Sequence, residues 1–147
     1  MARIKVSIPD HLPFATIIPI RITDVNYGGH VGNDTLLSLI HEARVQFLKH
    51  HGYEELVFEG VGLIMADVAI EFKQELFYGD QVRVGVGVGD FTRVSFDIYY
   101  KMEKLSAGGA VTVAVAKTGM VCYDYEKKKV VGVPEAARKK LEEGISQ

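Results

Sequence analysis

Residues 22–48, ITDVNYGGHVGNDTLLSLIHEARVQFL, constrain this chain more than any other stretch. They read as the end of an apolar strand, a polar glycine-rich turn and an amphipathic helix. Asn33 or Asp34 can cap that helix, since both side chains accept from the first free backbone N–H groups. Leu36, Ile40, Ala43 and Phe47 then recur at spacings of three and four, and Leu37, Leu39 and Leu48 widen the stripe. A helix that is apolar almost all round in its first turns has to be enclosed by other structure. Lys49, His50 and His51 suit its negative end, and Gly52 suits its stop. The turn gathers Asp24, Asn26, Tyr27, His30, Asn33 and Asp34 around Gly28, Gly29 and Gly32. Glycines let backbone N–H groups approach a ligand closely, and a helix start adds partial positive charge. Such a turn suits an anionic group, or a carbonyl oxygen gaining negative charge.

The enclosing structure is β. Phe14–Ile22 is expected as a strand with Ile18, Ile20 and Ile22 on one face, and Pro19 puts it at an edge or a bulge. After a linker over residues 53–62, four strand patterns follow without a second long helix. Leu63–Gln74 sets Ile64, Ala66, Val68, Ile70 and Phe72 on one face, and LFYGD at 76–80 makes a turn. Gln81–Gly89 alternates valines with Gly85, Gly87 and Gly89, a row that calls for close approach by another backbone or a helix. Thr92–Glu103 alternates cleanly, and Ala110–Tyr123 opposes Val111, Val113 and Val115 to small residues. Residues 1–13 are expected as an irregular arm, Lys127–Lys129 as a solvated turn, and Glu135–Glu143 as a terminal helix after Pro134. One strand, one long apolar helix and four antiparallel strands predict a single α+β domain over residues 1–147, its sheet curled round the helix.

Composition closes off other classes. A formal net charge of −2 gives no reason to expect nucleic acid or an anionic membrane surface as partner. The lone Cys122 excludes an internal disulfide, and its strand-like setting makes it a buried, inert thiol. Residues 1–10 lack the apolar core of a signal peptide and no run reaches membrane-spanning length, so a cytoplasmic protein is expected. His30 and His41 have no metal-ligand spacing. Asp67 and Glu71 read as a solvated sheet face, and Arg83, Arg93, Lys73 and Lys101 as surface bases.

Chemistry concentrates in the turn. If the strand register runs on, Ile20, Ile22, Asp24 and Asn26 share one face and two polar groups continue an apolar stripe. That fits the rim of a pocket; an Asx-turn closing the strand fits equally. Gly28 and Gly29 either present N–H donors to an oxyanion or simply permit a tight turn. They match neither a phosphate loop nor a dinucleotide fingerprint.

TDVNYGGHVGND followed by LLSLIHEARVQFL also resembles the first motif of the hotdog-fold acyl-CoA thioesterases, the 4-hydroxybenzoyl-CoA thioesterase-like group. That pattern runs Asp-x-Asp-x-x-Gly-His-Val-x-Asn, then a helix with Glu-Ala-Arg; here Asp24, Gly29, His30, Val31, Asn33 and Glu42-Ala43-Arg44 match it. IEFKQELFYGDQVRV, residues 70–84, resembles the family's second stretch, and the likeness spans nearly the whole chain. It implies a hotdog fold, hydrolysis of acyl-CoA or an acyl-carrier thioester without metal or cofactor, and a homodimer or a homotetramer built from dimers. A tetramer would use an outer sheet face bearing Tyr99 and Arg93. Tyr27, Gly28, Gly29, Val31, Asn33 and Glu42 become candidate substrate-binding residues. The family's catalytic Asp falls on Asn26, whose amide can neither attack nor take a proton but can orient water or donate to a carbonyl. The base then comes from Asp24 or His30, ahead of Glu42. Plant acyl-carrier-protein thioesterases carry a similar Asp-x-Asn-x-His order, in which His30 falls two residues late. The loss of the acid at 26 also supports a non-hydrolytic acyl-thioester binding protein. A hotdog dehydratase or isomerase is a third reading, without that group's histidine motif.

Overall fold

The computed structural model describes residues 3–143. Its elements are β1 (Phe14–Pro19), a single 3-10 turn (Ile22–Asp24), α1 (Asn33–His50), β2 (Gly62–Phe72), β3 (Gln81–Gly89), β4 (Ser95–Ser106), β5 (Gly109–Asp124), β6 (Lys129–Val130) and α2 (Glu135–Glu143). The strands form one antiparallel sheet in the order β1-β3-β4-β5-β2, with β6 paired to β5. One long helix against a curled antiparallel sheet is the α+β arrangement that the sequence patterns predict and the hotdog arrangement that the resemblance implies.

Helix α1 lies on the face where β3 presents Val82, Val84, Val86 and Val88, all buried with Leu36, Leu39, Ile40, Ala43, Phe47 and Leu48 in one core. Its end is as the sequence predicts. Gly52 adopts φ +83, and the N–H groups of Gly52 and Tyr53 reach the carbonyls of Lys49 (2.9 Å) and Leu48 (2.8 Å). This is the pair of bonds that a left-handed glycine makes at a helix C-terminus. Its start differs: Gly32, not Asn33 or Asp34, is the N-cap, and it supplies no side-chain acceptor. The predicted stripe is buried as expected at Leu36, Leu39, Ile40, Ala43, Phe47 and Leu48, with one exception. Leu37 is left 38% exposed, while Arg44 is only 6% exposed. Arg44 tolerates burial because Nε meets Glu55 at 3.2 Å and Nη1 meets the Tyr100 hydroxyl at 3.3 Å. Burial opposes its charge, and those partners outweigh the opposition.

The first strand stops at Pro19, three residues before the expected end at Ile22. The Asp24 carboxylate accepts the Arg21 N–H at 2.8 Å and folds residues 22–24 into the 3-10 turn. Ile20 is buried while Ile22 is 64% exposed. The shared face of Ile20, Ile22, Asp24 and Asn26 therefore does not exist.

The glycine row on β3 is covered as expected, by the N-terminal arm. A Cβ on Gly87 would lie 3.0 Å from Leu12 Cδ2, and one on Gly85 3.2 Å from Leu12 Cδ1. The arm continues across the sheet, where the Val6 N–H reaches Glu71 Oε1 on β2 at 3.1 Å. Tyr99, expected on a free outer face, is buried, with its ring over Gly89 and its hydroxyl on Asp90 and Asp97. Strand β2 is an edge, and a bulge between Met65 and Asp67 breaks its alternation. Ile64, Met65, Val68 and Phe72 are all exposed there rather than forming one buried face. Among the described residues no helix is long and apolar enough to cross a membrane.

Candidate active site

The loop before α1 is a tight hairpin. Val25 and Val31 form an antiparallel bridge. Inside it the Asn26 N–H donates to the His30 carbonyl (3.0 Å) and the Gly29 N–H to the Asn26 carbonyl (2.9 Å). Tyr27, Gly28 and Gly29 make the three-residue loop, closed by Gly29 at φ +83, a conformation that a side chain would strain. Tyr27 stands fully exposed at its tip.

Asn26 makes the Asx-turn that the sequence allows: the Gly28 N–H donates to its Oδ1 at 2.9 Å. This bond settles the amide's orientation, because an N–H can only meet the oxygen. The donor end, Nδ2, is left without a protein partner among the described residues. It faces Gly32, 3.5 Å from where a Cβ on that residue would stand. Gly28 brings the amide and the His30 imidazole onto one turn; a Cβ there would lie 3.2 Å from both Asn26 Oδ1 and His30 Cε1.

Asn26, His30, Val31, Gly32 and Asn33 form one wall of a cleft of about 490 Å³. Leu36, Phe72, Lys73, Gln74, Glu75, Leu76 and Val113 complete it. The walls are tied together where Val31 N–H meets the Leu76 carbonyl at 2.9 Å and His30 bridges Phe77. Because the Leu36 N–H is the first to find a helical acceptor, Gly32 O at 3.0 Å, the N–H groups of residues 33–35 remain free of intrahelical partners. With no side-chain cap to occupy them, they add the helix's partial positive charge to one end of the cleft.

The structure thus brings together Asn26, His30, Val31 and Asn33, with Gly28 and Gly29 shaping the turn. It does not bring Asp24 or Glu42 to them. Both line a separate depression of about 330 Å³ with Arg21, Ser38 and Gln46. Burial pushes the Asp24 carboxyl up, but the side-chain and backbone bonds from Arg21 and its charge prevail, so its pKa is lowered. An ion-paired carboxylate with a depressed pKa is a poor base. Glu42 Oε2 accepts from Gln46 Nε2 at 2.8 Å, one turn along α1. Gln74 and Glu75 are cleft residues that the sequence does not single out, and Lys73 is one that it presents only as a surface base. The stretch 70–84 stands out for its Gly-Asp turn, where the Asp80 carboxylate accepts the Phe77 N–H at 2.8 Å, but its meeting with the helix start is a long-range contact. Cys122 is buried and its thiol is pushed up to about 11 by burial, in keeping with an inert role.

The sequence pattern of the Thioesterase-like superfamily matches residues 20–141. A 1,4-dihydroxy-2-naphthoyl-CoA hydrolase from Microcystis aeruginosa is 28% identical over 130 residues, 86% of this chain and 90% of that protein. A 1,4-dihydroxy-2-naphthoyl-CoA thioesterase structure from Synechocystis superposes with a TM-score of 0.78 at 20% identity, over 87% of this chain and 94% of that one. A thioesterase from Thermus thermophilus, complexed with coenzyme A and Zn, gives 0.80 at 20% identity, over 95% and 99%.

Proposed function

The chain belongs to the Thioesterase-like superfamily, and from that premise we propose that it hydrolyses an acyl-CoA thioester to a carboxylic acid and free coenzyme A in the Asn26 cleft. One observation carries the reading. The Asn26 amide is locked with Nδ2 free, beside a helix start whose N–H groups are uncapped. These donors converge on one end of the cleft, where the thioester carbonyl oxygen gains charge as water adds to its carbon. Preorganised donors of this kind typically contribute roughly a hundred- to a thousandfold in turnover each. Asn26 therefore polarises rather than attacks. His30, in the same cleft, handles protons between the attacking water and the departing sulfur. Collapse of the tetrahedral adduct breaks the C–S bond, and the sulfur leaves with a proton.

We further propose that the working unit is a homodimer joined along β2, in the cytoplasm. An edge strand with Ile64, Met65, Val68 and Phe72 exposed beside Leu37 is a surface that a second copy covers. Phe72 also lines the cleft, so that partner would border the site.

Thiol release from short, long and aromatic acyl-CoAs tests the function. Turnover on at least one class is expected. The second reading, a non-hydrolytic acyl-thioester binding protein, is favoured by Asn26 itself, and tight binding without thiol release would select it.

A further inference from the structure

We propose, resting on the hydrolase reading above, that Glu75 is the general base that takes the proton from the attacking water. It lies outside the loop motif and outside α1, on the segment joining β2 to β3.

The placement follows from backbone pairing. His30 bridges Phe77 in antiparallel fashion, and the Val31 N–H meets the Leu76 carbonyl at 2.9 Å. Continuing that register sets Glu75 opposite Gly32. Side chains alternate across such a pair. Leu76 is buried at 3% exposure, so Glu75, Phe77, His30 and the missing side chain of Gly32 share the other side. A Cβ on Gly32 would point to Asn26 Nδ2 at 3.5 Å. Glu75 thus faces the space that the free amide faces, and nothing on Gly32 stands between them. His30 is its diagonal neighbour, at a separation long side chains can span.

Elimination agrees. Among the described residues Glu75 is the one carboxylate lining the cleft, and it has no hydrogen bond or ion pair. Lys73, also in the cleft, is committed to Glu71 at 3.2 Å. Asp24 is held by Arg21 and Glu42 by Gln46, both in the other depression. Asp34 Oδ1 lies 3.0 Å from the Cβ position on Gly32 but does not line the cleft.

In the step, a Glu75 oxygen takes one proton as the water oxygen bonds to the thioester carbon and the carbonyl electrons move onto oxygen. The adduct collapses, the C–S bond breaks, and the sulfur receives a proton through His30. Glu75 returns to its carboxylate.

The test compares kcat for wild type, Glu75→Gln, Glu75→Asp and Asp34→Asn on the best acyl-CoA of the panel. Glu75→Gln is expected to lose roughly a hundred- to ten-thousandfold in kcat with its melting temperature unchanged, because the side chain is exposed and unpartnered. Asp34→Asn is expected to stay near wild type. Glu75→Asp keeps a carboxylate on the same segment and is expected to retain at least about tenfold more kcat than Glu75→Gln, a rescue that no merely structural role of Glu75 explains. An active wild type with Glu75→Gln within about threefold of it overturns the role of Glu75 alone. A wild type inactive on every acyl-CoA overturns the hydrolase reading and the role of Glu75 with it.

Discussion

Asp24 separates the sequence-level expectation from the structure most sharply. By motif it stands first among the candidate bases; in the fold its carboxylate closes the 3-10 turn by accepting the Arg21 N–H at 2.8 Å, with the guanidinium 3.2 Å away. Its side chain is 7% exposed, whereas that of Arg21 is 69% exposed, so the ion pair adds little and the backbone bond does most of the stabilising. Removing an acceptor of this kind costs about 1–2 kcal/mol. For a chain of this size each kcal/mol lowers the melting temperature by about 2–4 °C, so Asp24→Ala is expected to melt about 2–8 °C lower. Its kcat on an acyl-CoA should stay within about threefold of wild type, since the side chain lies outside the Asn26 cleft. Acid provides a second readout. A carboxyl whose pKa is lowered by folding stabilises the protein fully above its unfolded pKa, and that contribution is lost as pH falls through the folded one. The gap between wild type and Asp24→Ala should accordingly be largest at neutral pH and narrow below about pH 4. Differential scanning calorimetry and thiol-release kinetics on the same samples decide the matter. A hundredfold loss of kcat with an unchanged melting temperature would refute the structural role and restore Asp24 as the base.

Other consequences are equally direct. Arg44→Ala breaks the bonds to Glu55 and Tyr100 beneath α1; Tyr100 keeps Thr118 at 2.8 Å, so the loss should be about 2–3 kcal/mol in urea denaturation rather than total unfolding. Gly29→Ala forces a side chain into φ +83 and should destabilise by about 1 kcal/mol, with kcat falling as the Asn26 turn loosens. Cys122, buried with its thiol pushed up to about 11, should react with a disulfide reagent only on unfolding, which leaves thiol-release assays free of background from the enzyme. Val68→Glu puts a charge on the exposed β2 edge, and light scattering should show a shift from the proposed dimer to a monomer.

The sequence made much of the fold legible where local signals and tertiary structure agree. The valine–glycine alternation of β3 announced both its core face and a close approach by other structure, without saying that the arm makes it, and Gly52 announced the end of α1. Misreadings arose where a single side-chain bond or a long-range contact decides. Arg44 is buried because Tyr100, far along the chain, offers it a hydroxyl. Asp24 leaves the strand face because one side-chain bond to Arg21 turns the backbone. The exposure of the apolar residues on β2 follows from its edge position, which alternation alone cannot reveal. Half of the cleft was readable, since Asn26, His30, Val31 and Asn33 lie within one motif. Lys73, Gln74 and Glu75 join them only through the bridge between His30 and Phe77, a contact with no local signature.

The most direct test of the account is the effect of Asn26→Ala on kcat and KM for thiol release from the preferred acyl-CoA. If the locked amide polarises the thioester carbonyl, kcat should fall roughly a hundredfold or more while KM changes little, because the bond matters most in the transition state. Unchanged kcat in a folded Asn26→Ala protein would contradict the account and move the chemistry away from this cleft.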